Sequence, residues 1–342
     1  MKNVMFKLPT LALAAVLWVA AANAADLING AGATFPYPLY SKWFSDYQKI
    51  DRSIQINYQS IGSGGGIRQL IDRTVDFGAS DAPMTDEQIQ KAKDPVVHVP
   101  MVLGAVVVTY NVPGVKAQLK MTPDIVADLF LGKIQKWDDA RITKLNPGVA
   151  IPKDHPVMVV HRSDGSGTTA IFSDYLSKVS AEWKEKVGTG TALKWPTGLG
   201  AKGNEGVTGT VKSTPGTVGY VEYLFAETNQ LSMAELKNAS GNFVKPNVKS
   251  VSQSAKGSLK QIPEDFRVSI TNAQGKESYP ISGFTYILVY KTLSADKGKK
   301  LVSFLKWAVQ DGQKTAETLF YAPLPTELVK KIEKKIADIQ FK

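Results

Sequence analysis

Two long apolar runs constrain the fold of this chain more than any other feature of its sequence. They read VHVPMVLGAVVVTYNV at residues 97–112 and FTYILVYK at residues 284–291. Runs rich in β-branched residues, with little polar alternation, are typical of strands buried on both faces. Strand-like runs alternate with helical patterns along the chain, at residues 54–58, 75–78, 96–111, 157–160, 217–221 and 284–290. This alternation predicts an α/β fold, in which the two longest runs are strands that cross between domains.

Two crossing strands predict a discontinuous first domain. A chain of 342 residues is longer than one hydrophobic core usually covers, and a hydrophobic content of 43% suffices for two cores. We therefore predict one lobe built from residues 25–108 and 284–342. Residues 109–283 form the second lobe in this interpretation.

Other segments carry weaker patterns. Residues 301–309, LVSFLKWAV, and residues 327–341, ELVKKIEKKIADIQF, repeat apolar side chains at helical spacing and predict two amphipathic helices. Their lysines are interpreted as the solvated faces of these helices, with a docking surface for a partner as the alternative. Residues 229–280 are polar and interrupted by Gly and Pro, which predicts peripheral loops with short strands.

The first 24 residues have the layout of a secretory signal peptide. Lys2 and Lys7 precede an apolar run, and residues 22–24, Ala-Asn-Ala, form a small-residue cleavage site. We therefore predict export to the periplasm. No membrane anchor is expected, because the sequence has no cysteine to carry a lipid and no later segment approaches the about 20 apolar residues of a transmembrane helix.

Charge and histidine content exclude several classes of protein. The formal net charge is +10, but the basic residues are scattered rather than gathered into a stripe, so nucleic-acid binding is not expected. The three histidines, His98, His155 and His161, are not paired at metal-ligand spacing. A GxxxxGK[ST] motif is also absent. We expect no metal and no cofactor.

Three short polar loops each lead into a helical pattern. They are GAGATFP at residues 30–36, IGSGGG at residues 61–66 and RSDGSGT at residues 162–168. The hydroxyl and glycine residues predicted at these helix starts are Thr34, Ser63 as an N-cap, Ser166, Gly167 and Thr168. A helix N-terminus presents unpaired N–H groups and a partial positive charge, so three of them aimed at one point would hold a small oxyanion. In the alternative interpretation each hydroxyl only caps its own helix.

Three charged residues add to this hypothesis. Arg162 offers a planar fork that matches two oxygens of an anion, and Asp164 is placed to hold that guanidinium. Asp81 follows a strand-like run, so its side chain should emerge at the carboxyl end of a strand, where α/β folds bind ligands. A carboxylate repels an anion that has no proton to donate, which favours hydrogen phosphate. As an alternative, Asp81 is only a cap or turn residue.

The sequence resembles the periplasmic phosphate-binding proteins of bacterial phosphate-specific ABC transporters. The blocks that carry the resemblance, in order, are GAGATFP, IGSGGG, VDFGASDAP, LGKIQKWDD, RSDGSGT, VGTGTALKWPTGLGAKGNEGV and GYVEY. The resemblance covers nearly the whole chain after residue 24. It implies a type II periplasmic binding protein with a ligand cleft between two lobes.

The resemblance also implies the ligand, its contacts and the partners. The implied phosphate ligands are Thr34, Phe35 through its main chain, Ser63, Asp81, Arg162, Ser166, Gly167 and Thr168, with Asp164 paired to Arg162. The implied protein is a monomer without a cofactor. It delivers inorganic phosphate to a membrane permease of two subunits with a cytoplasmic ATPase.

Two other functions remain open at this point. A secreted phosphatase or phosphoryl-transfer enzyme would use similar loops to hold a substrate phosphate, but it would need a metal cluster or an activated nucleophile. A receptor for sulfate or molybdate would meet Asp81 as an uncompensated negative charge. We therefore predict a phosphate-binding protein that is not an enzyme.

Overall fold

The computed structural model describes residues 25–342, and the predicted signal peptide at residues 1–24 lies outside the described residues. The strands, in chain order, are β1 Asp26–Gly32, β2 Ile54–Ser60, β3 Phe77–Ser80, β4 Val96–Asn111, β5 Lys120–Met121, β6 Met158–Arg162, β7 Leu199–Ala201, β8 Thr217–Glu222, β9 Ser232–Met233, β10 Glu235–Lys237, β11 Phe243–Val244, β12 Ser282–Tyr290, β13 Thr292–Leu293 and β14 Gln340–Phe341. The helices are α1 Tyr37–Ile50, α2 Ser63–Ile71, α3 Asp86–Ala92, α4 Pro123–Phe130, α5 Ala140–Leu145, α6 Gly167–Val179, α7 Ala181–Lys186, α8 Gly203–Ser213, α9 Tyr223–Thr228, α10 Val248–Ser258, α11 Ala295–Val309, α12 Gln313–Ala316 and α13 Thr326–Ala337.

Most strands belong to one long mixed sheet. Its order is β2-β1-β3-β12-β4-β8-β6-β7, and β9 also pairs with β4. Strand β1 runs parallel to β2 and β3, and β6 runs parallel to β7 and β8. We call the group around β1 the first half of the molecule and the group around β6 the second half. Parallel groups connected through helices confirm the predicted α/β class.

Strand β4 joins the two halves. Its residues up to Ala105 pair with β12, and its residues from Val106 onward pair with β8. The chain returns beside this point, because the amide of Val106 donates to the carbonyl of Ile281 at 2.8 Å and Ser282 then begins β12. Both connections between the halves therefore lie side by side. The lobe boundaries predicted near these residues stay a prediction.

Aromatic side chains fill the core of each half. In the first half, the ring of Phe44 on α1 lies 5.3 Å from that of Phe304 on α11, so helices from the two ends of the chain share one core. In the second half, Phe172 on α6 stacks on Tyr220 of β8 at 4.3 Å. The hydroxyl of Tyr220 accepts a hydrogen bond from the backbone amide of Arg162 at 3.2 Å. Packing in this core therefore fixes the end of strand β6.

The sequence predictions of secondary structure have mixed outcomes. Each predicted strand overlaps a strand of the main sheet, and the predicted C-terminal helices correspond to α11 and α13. Strand β1 was not predicted, because its sequence DLINGAG is rich in glycine and poor in β-branched residues. The prediction of loops with short strands over residues 229–280 is wrong at α10. This helix is held by a capping box between Asn247 and Ser250, and small residues form much of its buried face.

Among the helices of residues 25–342, none is both long and apolar enough to span a bilayer.

Candidate anion-binding site

Three segments from the two halves meet beside the points where β4 and the start of β12 connect the halves. They are the start of α2, the carboxyl end of β3, and the start of α6. A methyl group placed on Gly167 would lie only 2.3 Å from the Ser63 hydroxyl and 2.5 Å from an Asp81 carboxylate oxygen, so these three residues are in immediate contact. The amide of Gly64 also donates to the carbonyl of Gly165 at 2.9 Å. The loops therefore touch across the interface between the halves.

Helix α2 begins differently from the prediction. The N-cap is Gly62, whose φ of +88° suits glycine, and a side chain there would collide with the Asp164 carboxylate. Ser63 is the first helical residue and its hydroxyl makes no capping hydrogen bond, so its predicted role as N-cap is wrong. Instead, the Ser63 hydroxyl accepts from the Asp81 amide at 3.2 Å and lies 3.5 Å from that carboxylate.

Ser166 lies at the start of helix α6, as predicted, and it caps that helix as in the alternative interpretation. Its hydroxyl is fully buried and accepts from the Thr169 amide at 3.0 Å. The amides of Gly167 and Thr168 belong to the first turn and have no intrahelical acceptor. Because the positive end of the helix dipole lies at the same place, this turn favours an anion.

Arg162 ends strand β6 and is held as a rigid fork. Its Nε and Nη2 donate to the two carboxylate oxygens of Asp164 at 2.8 and 2.5 Å, which confirms the pairing expected from their spacing. Its Nη1 lies 3.2 Å from the Thr168 hydroxyl. The side chain is only 1% exposed. Burial acts to raise the pKa of Asp164, but the hydrogen bonds and charge of Arg162 outweigh it and lower that pKa, so the pair is ionic.

Asp81 is a buried carboxylate at the carboxyl end of β3, as predicted. Burial raises its pKa to about 7, against the opposing effects of a hydrogen bond from Thr285 and the positive charge of Arg162. The Thr285 hydroxyl donates to Oδ1 of Asp81 at 2.8 Å. The other oxygen, Oδ2, lies toward Ser63 and Gly167. One carboxylate oxygen therefore faces the donors at the two helix starts.

Thr34 and Phe35 lie just before α1, whose N-cap is Pro36. The ring of Phe35 is fully buried and packs directly on Gly104 of β4, where a β-carbon would collide with it. The Phe35 carbonyl accepts from the Tyr321 hydroxyl at 2.6 Å. Since the ring belongs to the core, only the main chain of Phe35 remains available to a ligand.

Sequence reasoning missed two buried polar residues here. Asn204, at the start of α8, donates from Nδ2 to the hydroxyl of Thr34 at 2.8 Å. Glu222 ends β8, accepts from the Leu224 amide at 2.9 Å, and has its pKa raised well above the ordinary value by burial. Both residues stand in blocks of the family resemblance, AKGNEGV and GYVEY, but nothing in the local pattern indicated a role.

The chain matches a family model described as the PBP superfamily domain over residues 19–311. It is 46% identical to the phosphate-binding protein PstS of Pasteurella multocida over 311 residues, which are 90% of this chain and 89% of the relative. Identity to the phosphate-binding protein PstS of Xylella fastidiosa strain Temecula1 is 47% over 308 residues, 90% of this chain and 84% of the relative. The chain belongs to the PstS family of phosphate-binding proteins.

Solved structures resemble the fold of this PstS-family chain. PfluDING, described as a high affinity periplasmic phosphate-binding protein bound with phosphate, aligns with a TM-score of 0.71 at 19% identity, covering 93% of this chain and 99% of that one. A phosphate binding protein from Stenotrophomonas maltophilia aligns with a TM-score of 0.66 at 18% identity, covering 91% of this chain and 94% of that one. With the family assignment, these likenesses confirm the predicted two-lobed, type II periplasmic binding protein fold.

The PstS-family fold brings together every residue that the sequence assigned to the anion site. They are all buried or nearly so and lie before α1, at the starts of α2 and α6, and at or just after the ends of β3 and β6: Thr34, Phe35, Ser63, Asp81, Arg162, Asp164, Ser166, Gly167 and Thr168. Within residues 25–342, no group of three metal-ligating side chains is positioned to hold an ion. The roles of these residues as phosphate ligands stay predictions.

Proposed function

We propose that this PstS-family protein captures inorganic phosphate and delivers it to an ABC-type importer. The observation that carries the proposal is the polarity of the buried site. The Ser63 hydroxyl at the start of α2 and Gly167 at the start of α6 lie beside one buried carboxylate, Asp81, which is also close enough to Arg162 to be affected by its positive charge. A hydrogen phosphate ion matches this set, because its bare oxygens accept from the donors while its proton goes to the carboxylate.

The residues proposed to contact phosphate are those of the sequence prediction. Thr34, Ser63, Ser166 and Thr168 contribute hydroxyls, Phe35 and Gly167 contribute backbone amides, and Arg162 and Asp81 contribute their charged groups. Asp164 acts through Arg162 by fixing its orientation. No cofactor or metal takes part in this proposal.

Location and partners follow from the family. We infer a periplasmic monomer, exported through the signal peptide at residues 1–24, that docks on a permease of two subunits with a cytoplasmic ATPase. The lobes are proposed to comprise residues 25–108 with 284–342, and residues 109–283. Relatives named phosphate-binding protein PstS support the role in phosphate uptake.

Capture and release, without a reaction, is the activity we propose. The family consists of binding proteins, and the Arg162 fork and the Ser166 cap are both suited to holding an anion. A phosphatase assay, with and without divalent metal ions, tests the alternative of a hydrolase. Turnover of a phosphate ester that disappears in an Arg162→Ala variant would contradict pure binding.

Calorimetric titration of the exported chain with phosphate and with sulfate tests the proposed function. We expect saturable binding of one phosphate per chain and much weaker binding of sulfate. Equal affinity for the two ions, or no binding of phosphate to protein freed of ligand by unfolding and refolding, would contradict the proposal.

Phosphate is expected to close the two halves on each other. Contacts across their interface include Gly64 to Gly165 and a 2.6 Å ion pair between Arg267 and Asp86. Because the ligand would be shared by both halves, its binding should favour this closed arrangement by a hinge motion at the two connections. Small-angle scattering should then give a smaller radius of gyration with phosphate. Identical scattering with and without saturating phosphate would argue against ligand-driven closure.

Gly167→Ala is expected to weaken phosphate binding by roughly fivefold to a hundredfold, because an overpacked contact costs about 1–3 kcal/mol. The added methyl group would collide with Ser63 and Asp81 across the closed interface. Gly209→Ala is a matched control, since Gly209 lies on α8 with open space around its β-carbon position. Titration calorimetry and thermal unfolding of both variants make the comparison. Equal phosphate affinity in the two variants would remove Gly167 from the contact.

A further inference from the structure

Asn204 connects hydroxyl groups from the two halves of the molecule. It is fully buried and follows Gly203, whose φ of +71° turns the chain into α8. Its Nδ2 lies 2.8 Å from the Thr34 hydroxyl, which precedes α1 in the first half. The same nitrogen lies 3.2 Å from the Thr168 hydroxyl, in the first turn of α6 in the second half. One amide group therefore holds two of the proposed phosphate ligands.

The orientation of this amide is fixed by the backbone. The carbonyl oxygen Oδ1 of Asn204 accepts from the Glu222 amide, an obligatory donor, at 2.9 Å. The nitrogen must then be the atom that faces Thr34 and Thr168, because only that assignment satisfies all three contacts. Asn204 is thus a donor toward both hydroxyls.

These contacts use all the acceptor capacity of both threonine hydroxyls. A hydroxyl has two lone pairs and one proton to donate. The Thr34 oxygen accepts from Nδ2 of Asn204 and from the Asn204 amide at 3.3 Å. The Thr168 oxygen accepts from Asn204 and from Nη1 of Arg162, each at 3.2 Å. Neither oxygen has a lone pair left, so each hydroxyl can only donate its proton to a further partner.

We propose that Asn204 is a positioning residue that sets the polarity of the site, by forcing the Thr34 and Thr168 hydroxyls to donate to the bound anion. The inference rests on the proposed function, since the anion is phosphate. Asn204 acts through the two threonines, and the set of donors that it creates leaves the Asp81 carboxylate as the acceptor for the ligand's proton.

The same geometry gives Asn204 a second effect in closure. Its contact with Thr34 crosses the interface between the halves, whereas its contacts with Thr168 and Glu222 stay within the second half. When the halves close, the Thr34 hydroxyl therefore meets a donor, Nδ2 of Asn204, that is already oriented. Only in the closed arrangement are both lone pairs of the Thr34 hydroxyl occupied, so that it can only donate its proton.

A double-mutant cycle tests this inference. Phosphate affinity is measured by titration calorimetry for the wild type, Asn204→Ala, the pair Thr34→Val with Thr168→Val, and all three changes together. In the wild-type background, Asn204→Ala should lower phosphate affinity by roughly tenfold or more, as expected for oriented hydrogen bonds to a charged ligand. In the valine background it should cost no more than about twofold, because no hydroxyl remains to be oriented.

A purely structural role for Asn204, at the start of α8, predicts the same loss in both backgrounds and would overturn the proposal. Asn204→Asp gives a second comparison that does not depend on the alanine variant folding. Aspartate has the same shape, still accepts from the Glu222 amide and is favoured in the first turn of a helix. Its carboxylate would draw the two hydroxyl protons away from the anion, so phosphate affinity should fall by more than in Asn204→Ala.

The outcomes separate this inference from the function on which it rests. The role of Asn204 would be overturned if Asn204→Asp bound phosphate as tightly as the wild type does. It would also be overturned if Asn204→Ala caused the same loss of phosphate affinity in the wild-type and the valine backgrounds. Phosphate binding by the wild type would stand in either case. Absence of phosphate binding by the wild type would instead contradict the proposed function, and with it the role of Asn204. Thermal unfolding of each variant, without phosphate, reports whether the fold is retained.

Discussion

Arg162→Ala is expected to lower phosphate affinity by roughly tenfold to a hundredfold at least, since a charge-assisted hydrogen bond contributes about 1.5–3 kcal/mol. The guanidinium is buried and held by Asp164, so little conformational freedom is lost when the anion binds. Its removal also leaves the carboxylates of Asp81 and Asp164 uncompensated beside an incoming anion. Titration calorimetry measures the affinity, and circular dichroism reports whether the variant remains folded.

The chain offers a matched control for this variant. Arg141 also pairs through two nitrogens with an aspartate two residues away, Asp139, but its side chain is 41% exposed on the surface of the second half. Arg141→Ala should leave phosphate affinity unchanged, as should Lys136→Ala, which removes an exposed lysine paired with Asp154. If Arg162→Ala binds phosphate as tightly as these controls do, Arg162 is not a ligand.

Local patterns predicted the parts of the site that depend on neighbouring residues. The position of Ser166 at a helix start and the pairing of Arg162 with Asp164 each depend on residues no more than three positions apart. Such contacts follow from turn geometry and helix capping, which a short stretch of sequence determines. The strand before Asp81 was also recognisable, so the placement of that carboxylate at the end of a strand was predictable.

Contacts between distant segments were beyond the local patterns. Thr285 donates to Asp81 across 204 residues of sequence, and Asn204 reaches Thr34 across 170 residues. Neither partner carries a local pattern that would have marked it, although Asn204 lies at the start of α8. Ser63 shows the same limit, because a long-range hydrogen bond from Asp81 and the adjoining glycine decide its position rather than the helix that it begins.

Asp81→Asn is expected to narrow the ratio of phosphate to sulfate affinity by about two or more powers of ten, because an unpaired like-charge contact in a buried site costs several kcal/mol. Hydrogen phosphate donates its proton to the Asp81 carboxylate, whereas sulfate has none and must face that charge. An asparagine removes the charge and can donate to a sulfate oxygen. Competition titrations of both proteins with the two ions measure the ratio.

Asp86→Asn is the control for this variant. Asp86 is the first residue of α3, five positions after Asp81, but its side chain is exposed and pairs with Arg267. Loss of that pair should change the affinities for the two ions by a similar factor, so their ratio should stay constant. If the ratio is also unchanged in Asp81→Asn, then Asp81 does not discriminate between the ions.

The pH dependence of sulfate affinity is the most direct test of the role of Asp81 in recognising the proton of the ligand. With the pKa of Asp81 raised to about 7, the neutral acid predominates below that pH and can donate to sulfate, while the carboxylate that predominates above it repels sulfate. Sulfate binding therefore requires a proton on Asp81, and wild-type affinity for sulfate should fall roughly tenfold for each pH unit above 7. Asp81→Asn should abolish this slope, because the amide does not titrate. A slope that persists in Asp81→Asn would assign the titrating group elsewhere and remove Asp81 from the recognition of the ligand's proton.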